Sequence, residues 1–152
     1  MEHKNKQKES HGNFAIVRVR GLTGIKQDTR YTLDQLRLYE RNNCIVLPDT
    51  NSNKGMLLKI KDYVTWGEID DGTFNMLVEK KGEDYKGPTT DRKGRIKYNR
   101  FIEFNGRKLK KFFRLNSPRK GYGRKGIKLP FSKGGALGYR AGKINDLIER
   151  ML

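Results

Sequence analysis

The chain has 152 residues, of which 34% are hydrophobic and 34% charged, and its formal net charge at pH 7 is +17. So large a basic excess favours polyanionic partners, nucleic acid above all. The longest apolar runs have four residues, against about 20 in a membrane-spanning helix, so no membrane partner is expected. The one cysteine, Cys44, cannot form an intrachain disulfide, and Cys44 with the two histidines, His3 and His11, cannot make a zinc site alone.

The first half of the chain has the pattern of a compact α/β core. Residues 1–12 are polar and are expected to form a flexible tail rather than a signal peptide. The core is predicted to cover residues 13–82. It opens with a strand over residues 14–20, whose alternate side chains face opposite sides of a sheet.

The remaining core elements follow from capping residues and strand composition. Thr32 and Gln35 match the spacing of a capping box, which predicts that the first helix starts there and closes at Asn42-Asn43. The other predicted elements are, in chain order, a strand over 44–47, a helix capped by Thr50, Asn51 or Ser52, a strand over 63–66, and a helix that starts at Asp70 or Asp71 and ends at Gly82. This order predicts helices packed on a small sheet.

The excess charge lies in the second half of the chain. Residues 1–91 hold 15 Lys+Arg and 14 Asp+Glu, whereas residues 92–152 hold 19 Lys+Arg and 3 Asp+Glu. A solvated helix face normally mixes both signs. We therefore interpret residues 83–152 as a basic extension that binds a polyanion.

Within this extension the local structure is harder to predict. Residues 98–104 fit either a strand or a helix. Residues 114–142 contain Pro118, Pro130 and seven glycines, a composition expected to be disordered away from a partner. The chain then ends in a predicted amphipathic helix with apolar residues at i, i+3, i+4 and i+7, namely Ile144, Leu147, Ile148 and Met151.

The Gly-rich basic segment is the first candidate for nucleic-acid binding. Its arginines match the geometry of phosphates, its glycines allow close backbone approach, and its aromatic rings suit base stacking. For each aromatic residue considered alone, a role as a hydrophobic anchor that holds the segment to its own domain is favoured over stacking on a base. The candidate RNA-binding residues here are Arg114, Arg119, Lys120, Tyr122, Arg124, Lys125, Lys128, Lys133, Tyr139 and Arg140.

Two further candidates lie in the core. A helix start with a nearby lysine can receive a phosphate, which points to Lys54, Gly55, Met56, Lys59 and Lys61; the alternative is an ordinary turn followed by a solvated lysine face. The loop over 20–26 has the GxxG spacing of a nucleotide clamp, although four residues often match by chance. This loop and the strand before it add Arg18, Arg20 and Lys26 to the candidate set.

No set of residues points to catalysis. The carboxylate pairs Asp70-Asp71 and Glu83-Asp84 lie at a predicted helix start and in a predicted loop. The sequence has no P-loop motif, and both histidines lie in the polar tail. We expect neither enzymatic activity nor a cofactor, a metal or a small-molecule substrate.

Several stretches also resemble a known family. The chain contains, in this order, VRVRG (17–21), TLDQLRLYERNNCIVLPDT (32–50), KGML (54–57), KDYVTWGEID (61–70), FFRLNSPRKGYGRKGIKLPFSKGGALGYR (112–140) and INDLIERM (144–151). Together they resemble the ribosomal large-subunit protein thirty family, in the longer archaeal form related to eukaryotic large-subunit protein seven.

The resemblance implies both a fold and a function. The implied fold is α+β, a two-layer sandwich with a β-α-β-α-β core whose helices cover one face of a three-stranded antiparallel sheet, followed by the Gly-rich extension and a terminal helix. The implied function is a structural role in the cytoplasmic large ribosomal subunit, with binding to large-subunit ribosomal RNA near the 5S RNA and contacts with neighbouring ribosomal proteins. Lys54, Gly55 and Met56 match the RNA-facing turn of the family, and residues 114–140 its RNA-following extension.

The chain departs from the family pattern in three places. Asn51 stands where proline is common, Asn116-Ser117 stands where His-Pro is common, and residues 85–111 are shorter and more basic than the usual helical insert. The alternative to a ribosomal role is a free RNA-binding regulator or RNA chaperone that uses the same surface.

Overall fold

The computed structural model describes residues 12–152. Apart from Gly12, the predicted flexible tail lies outside the described residues. The elements are β1 (Asn13–Arg18), α1 (Gln27–Gln35), β2 (Asn43–Pro48), α2 (Asn51–Ile60), β3 (Val64–Glu68), α3 (Asp71–Lys81), β4 (Phe101–Phe104), β5 (Arg107–Lys110), β6 (Phe113–Arg114), β7 (Gly138–Tyr139) and α4 (Ile144–Met151). Single 3₁₀ turns occupy Phe131–Lys133 and Ala141–Lys143.

One mixed sheet organises the fold, with the strand order β6-β2-β1-β3-β7. Its centre is the predicted antiparallel trio, in which Ile16 of β1 lies opposite Ile45 on one side and Trp66 on the other. The C-terminal part of the chain adds one short strand at each edge. Phe113 pairs antiparallel with Cys44, and Tyr139 pairs parallel with Trp66. The predicted α+β class is confirmed, and the sheet gains two strands.

Both faces of the sheet are buried because β1 is apolar on both sides. Phe14 and Ile16 face α1 and α2, where a first cluster forms around Leu33 and Leu57. The alternate residues of β1 face a second cluster, built by α3, α4 and the Gly-rich segment and including Ala15, Val17, Leu77, Leu137, Leu147 and Ile148. A further layer therefore covers the face of the sheet opposite α1 and α2.

The first helix does not start where the capping box predicts. Helix α1 begins at Gln27, and Thr32 lies inside it, with its hydroxyl donating a hydrogen bond to the carbonyl oxygen of Asp28 at 3.2 Å. A threonine hydroxyl can bond either to a backbone N–H at a cap or to the carbonyl four residues before it. The sequence pattern does not separate these two cases. The helix ends at Gln35, shortly before Arg37, whose φ of 59° cannot continue a helix.

The other predicted core elements are present. Thr50 is the N-cap of α2, and its hydroxyl accepts a hydrogen bond from the N–H of Asn53 at 3.2 Å. Helix α3 starts after Asp70. The N–H of Asp70 donates a hydrogen bond to Asn145 Oδ1 of α4 at 3.0 Å, which links the start of α3 to α4. The ambiguous stretch over 98–104 forms β4, which a turn at Asn105-Gly106 joins to β5.

The Gly-rich segment follows a fixed course across the core. It buries Leu115, Ala136 and Leu137 in the second cluster, so part of the segment packs on the core of the same chain. Helix α4 holds it there, with all four predicted apolar residues fully buried. The close fit requires glycine at position 67 of β3, where a Cβ would collide with the backbone carbonyl of Ala141.

Candidate nucleic-acid interface

The structure brings two of the sequence candidates together at the β3–β7 edge of the sheet. The pairing of β7 with β3 places Tyr139 of the Gly-rich segment beside Lys54 at the start of α2, and both residues line a cavity of about 350 Å³. Its floor is apolar and includes Phe14 and Trp66. The Tyr139 ring lies 6.4 Å from the Trp66 ring, and half of its surface is exposed.

A cationic cluster lies close to the other end of the same edge. Lys61, just after α2, and Lys128 line a second cavity of about 180 Å³. Arg20 is close by, because its guanidinium donates to the carbonyl oxygen of Asp62 at 3.4 Å and lies 5.2 Å from the ring centre of Tyr63. We use the name edge surface for Arg20, Lys54, Lys61, Lys128 and Tyr139.

The loops of the Gly-rich segment present further cations to solvent. The N–H of Lys125 donates to the carbonyl oxygen of Gly134 at 3.1 Å, and Gly123 lies so close to Gly135 that a Cβ on it would be 2.5 Å from the Gly135 oxygen. This contact between the two loops places three exposed cations on one part of the molecule: Arg124, Lys125 and Lys133.

The turn with Arg119 and Lys120 is fixed by the terminal helix. Nη1 of Arg150 donates to the carbonyl oxygens of Arg119 at 2.9 Å and of Gly121 at 2.6 Å. The side chains of Arg119 and Lys120 stay exposed. A basic turn held by its backbone presents its charges at a low entropic cost, which suits phosphate binding.

Three predicted RNA-binding residues, Arg18, Tyr122 and Arg140, are buried, and their polar groups bond within the protein. Arg18 is fully buried, and its guanidinium donates to the carbonyl oxygens of Arg20, Leu38 and Tyr39 at 2.9, 2.6 and 3.0 Å. Burial lowers the pKa of Arg18. A sequence pattern cannot distinguish an arginine that binds phosphates from one that binds backbone carbonyls, because both need the same donors.

Arg140 and Tyr122 likewise act as internal anchors. Arg140 is 3% exposed and donates to Thr65 Oγ1 and to the Ala136 carbonyl oxygen, both at 2.8 Å. Burial lowers its pKa to about 10. The Tyr122 hydroxyl donates to Asn42 Oδ1, and burial raises the pKa of this phenol. Tyr122 therefore acts as a hydrophobic anchor, whereas Tyr139 remains exposed.

The remaining predicted residues lie on the surface, though not all on one side. Lys54 and Lys59 pair with Asp49 and Asp28 at 2.7 and 2.8 Å. The Lys59–Asp28 pair is exposed, and exposed pairs are worth about 0–1 kcal/mol, so a phosphate can displace Asp28. The Asp49 side chain is only 27% exposed, which shelters its pair with Lys54. Lys26 and Gly55 are exposed and Met56 is half-buried, whereas Arg114 lies on β6 at the opposite edge of the sheet.

One basic and aromatic cluster near β6 is missing from the sequence candidates. It comprises residues from the end of α1 and from the stretch around the β4–β5 hairpin, among them Arg37, Arg100 and Lys111. These residues are up to 74 positions apart in the sequence. Their charge was visible in the composition, but only the long-range packing of the hairpin brings them together.

Alternative kinds of site find little support in the described part of the chain. No group of three or more His, Cys, Asp or Glu side chains among residues 12–152 is placed to hold a metal ion. No helix in the same range is long and apolar enough to cross a membrane. Cys44 is fully buried, and burial raises the pKa of its thiol to about 12, which makes it a poor nucleophile.

The fold and its surface define the class: a small basic α+β protein whose exposed cations are placed to bind a polyanion. Residues 14–64 match the family described as ribosomal protein L30p/L7e. Large ribosomal subunit protein uL30 of Methanopyrus kandleri is 45% identical over 149 residues, covering 88% of this chain and 100% of the relative. The uL30 proteins of Nanoarchaeum equitans and Methanococcus maripaludis are 43% and 42% identical, covering 91% of this chain and 98% and 99% of their own lengths.

The chain therefore belongs to the uL30 family of ribosomal proteins, which confirms the resemblance. Members of this family are structural proteins of the large ribosomal subunit and not enzymes. The predicted structural role and the ribosome-bound, cytoplasmic location follow from the same membership.

Proposed function

We propose that this protein binds large-subunit ribosomal RNA, near the 5S RNA region, through phosphate contacts of the edge surface and of the loop cations around it. The observation that supports this proposal best is that residues of α2 and of the Gly-rich segment meet in two cavities along one sheet edge, Lys54 with Tyr139 and Lys61 with Lys128. These residues come from two separate candidate segments. Their joint placement favours a shaped binding surface over a general excess of charge.

In this proposal the core and the extension have different roles. Residues 13–82 supply the three central strands of the sheet, and residues 83–152 supply most of the net charge and the basic turns. Because Arg140 ties the Gly-rich segment to β3 and Arg150 of α4 holds the Arg119 turn, the phosphate-binding groups would keep their spacing before RNA arrives. Neutralising phosphates in this way would let RNA segments approach one another, and neighbouring ribosomal proteins would pack on the remaining surface.

Salt dependence is the physical signature of such contacts. Each phosphate that a lysine or arginine neutralises releases condensed counterions. A surface that neutralises six to ten phosphates would lose roughly 10³–10⁵-fold in affinity between 50 and 200 mM salt. A surface that reads bases alone would show a much flatter dependence.

The experiment is sedimentation of a tagged copy in a native lysate through a sucrose gradient, followed by a moderate-salt wash. Co-migration with the large subunit that survives the wash is the expected result. Crosslinks from the edge surface to RNA next to the 5S RNA would then support the finer location. Recovery at the top of the gradient would contradict the proposal and favour the free RNA-binding regulator.

A further inference from the structure

A basic and aromatic pocket lies on the α1 and hairpin side of the molecule, apart from the edge surface. It has a volume of about 350 Å³, within the usual range of ligand sites, about 300–1,000 Å³. We use the name hairpin pocket for the cavity lined by Arg37, Tyr39, Tyr85, Arg100, Lys111 and Phe112. Lys110 completes the lining, and no carboxylate of the described chain contributes to it.

The aromatic residues of the pocket are held in place by ring contacts. Tyr39 meets Phe112 edge to face, with ring centres 5.7 Å apart, and Tyr85 stacks on Phe101 at 5.6 Å. Tyr39 is 44% exposed, and Tyr85 and Phe112 are half-buried. The rings are therefore fixed by packing and still reachable from solvent, as a stacking platform requires.

Three of the four cations of the pocket have no carboxylate partner among residues 12–152. Lys110 pairs with Glu83 at 2.7 Å, whereas the ion pairs among the described residues include none of Arg37, Arg100 and Lys111. Nζ of Lys111 donates to Asn99 Oδ1 at 3.0 Å, a neutral acceptor. Partial burial and the charge of Arg37 lower the pKa of Lys111. Like charges held together without an acid would be stabilised by a bound anion.

We propose that the hairpin pocket binds one or two unpaired nucleotides of an RNA strand, with the cations on the phosphates and a base against Tyr39 and Phe112. The choice of RNA as the polyanion rests on the proposed function. An acidic peptide would satisfy the cations but would leave three aromatic rings without a use. A duplex is excluded because its stacked bases are closed to the rings, whereas an unpaired base presents a free face.

The test uses the full chain and an eight-nucleotide oligouridylate labelled with fluorescein, followed by anisotropy. Arg100→Gln with Lys111→Gln is expected to weaken binding about tenfold and to reduce the slope of log K against log salt by about 1.4, the value for two single-strand phosphates. Tyr39→Leu is expected to weaken binding at least about fivefold at an unchanged salt slope, because stacking carries no charge. Lys80→Gln with Lys81→Gln, which removes two charges from the last turn of α3, is the matched control and should change affinity less than twofold.

A second measurement uses the unaltered chain, so its result does not depend on whether the variants fold. An octamer that contains 4-thiouridine is crosslinked to the unaltered chain, and the labelled peptides are identified by mass spectrometry. Crosslinks at Tyr39, Tyr85 or Phe112 are expected. Crosslinks confined to Tyr139 and the Gly-rich loops would overturn the proposal, and so would octaglutamate that competes as strongly as the RNA.

The outcomes separate this inference from the proposed function. If the pocket variants stay in the washed large subunit and bind the octamer normally, the hairpin pocket is not an RNA site although the ribosomal proposal stands. If the unaltered chain fails to sediment with the subunit and still crosslinks the octamer at Tyr39, the ribosomal proposal fails and the pocket stands.

Discussion

Nε of Arg140 donates a hydrogen bond to the hydroxyl of Thr65 at 2.8 Å, and the Thr65 hydroxyl donates in turn to the carbonyl oxygen of Gly138 at 2.9 Å. This short network joins the Gly-rich segment to Thr65 near the start of β3. Both side chains are almost fully buried. The position of the basic loops therefore depends on a polar contact inside the molecule.

Replacing Arg140 should consequently affect stability before it affects RNA binding. Arg140→Ala leaves Thr65 and the Ala136 carbonyl oxygen without their partner and opens space beneath Phe131, whose ring centre is 4.7 Å from the guanidinium. We expect the free energy of unfolding to fall by about 3 kcal/mol, measured by urea denaturation followed by circular dichroism. The exposed Arg124→Ala is the control and should stay within about 0.5 kcal/mol. An equal, small effect of both would show that Arg140 is not an anchor.

Tyr122 distinguishes a structural anchor from a base-stacking residue. Tyr122→Phe keeps the buried ring and removes the hydroxyl that donates to Asn42. We expect a loss of about 1 kcal/mol in the free energy of unfolding and no change in affinity for ribosomal RNA. The same change at the exposed Tyr139 should leave stability nearly unaltered. Weaker RNA binding by a stable Tyr122→Phe variant would show that the ring does reach the RNA.

Some of this arrangement could be predicted from local patterns, and some could not. The alternation of β1, the Thr50 cap and the stripe of α4 are set by neighbouring residues, and the structure confirms them. The strands β6 and β7 have two residues each, too few for a period, and form only because Cys44 and Trp66 lie at open edges.

The same limit applies to the candidate site. Exposure of Arg119, Lys120 and Lys128 is what a basic, Gly-rich sequence suggests. The burial of Arg18 and Arg140 depends on carbonyl groups that folding places around them, and no pattern within a few residues encodes those groups. Long-range packing decides which cations reach the surface, whereas composition decides how many there are.

Acid sensitivity should be partly traceable to Glu83, which joins the loop after α3 to the hairpin. The hydrogen bond from Lys110 lowers the pKa of the Glu83 carboxyl below its ordinary value of 4.5. The folded state therefore favours the carboxylate, so Glu83 adds stability above pH 4.5 and loses it as pH falls through the lowered value. Glu83→Gln should lower stability near pH 7 but not at about pH 2.

The measurement for Glu83 is thermal unfolding of both chains across this pH range. The contribution is small because the carboxylate is 36% exposed and screened by solvent. Glu149→Gln on the outer side of α4 is the control for removing one exposed negative charge. A difference between Glu83→Gln and the unaltered chain that persists unchanged at low pH would contradict the role of the carboxylate.

The Arg119-Lys120 turn provides the sharpest comparison for the proposed RNA surface. Arg119→Ala with Lys120→Ala removes two charges from a turn whose backbone Arg150 holds in place, and Lys80→Ala with Lys81→Ala removes two charges from α3. If each turn cation contacts one phosphate, the first pair should weaken association with ribosomal RNA and reduce its salt slope by about 1.8 on duplex RNA. The second pair should change neither by a measurable amount. Equal losses from both pairs, at equal stability, would mean that the net charge acts diffusely and that the placement of the turn is irrelevant to binding.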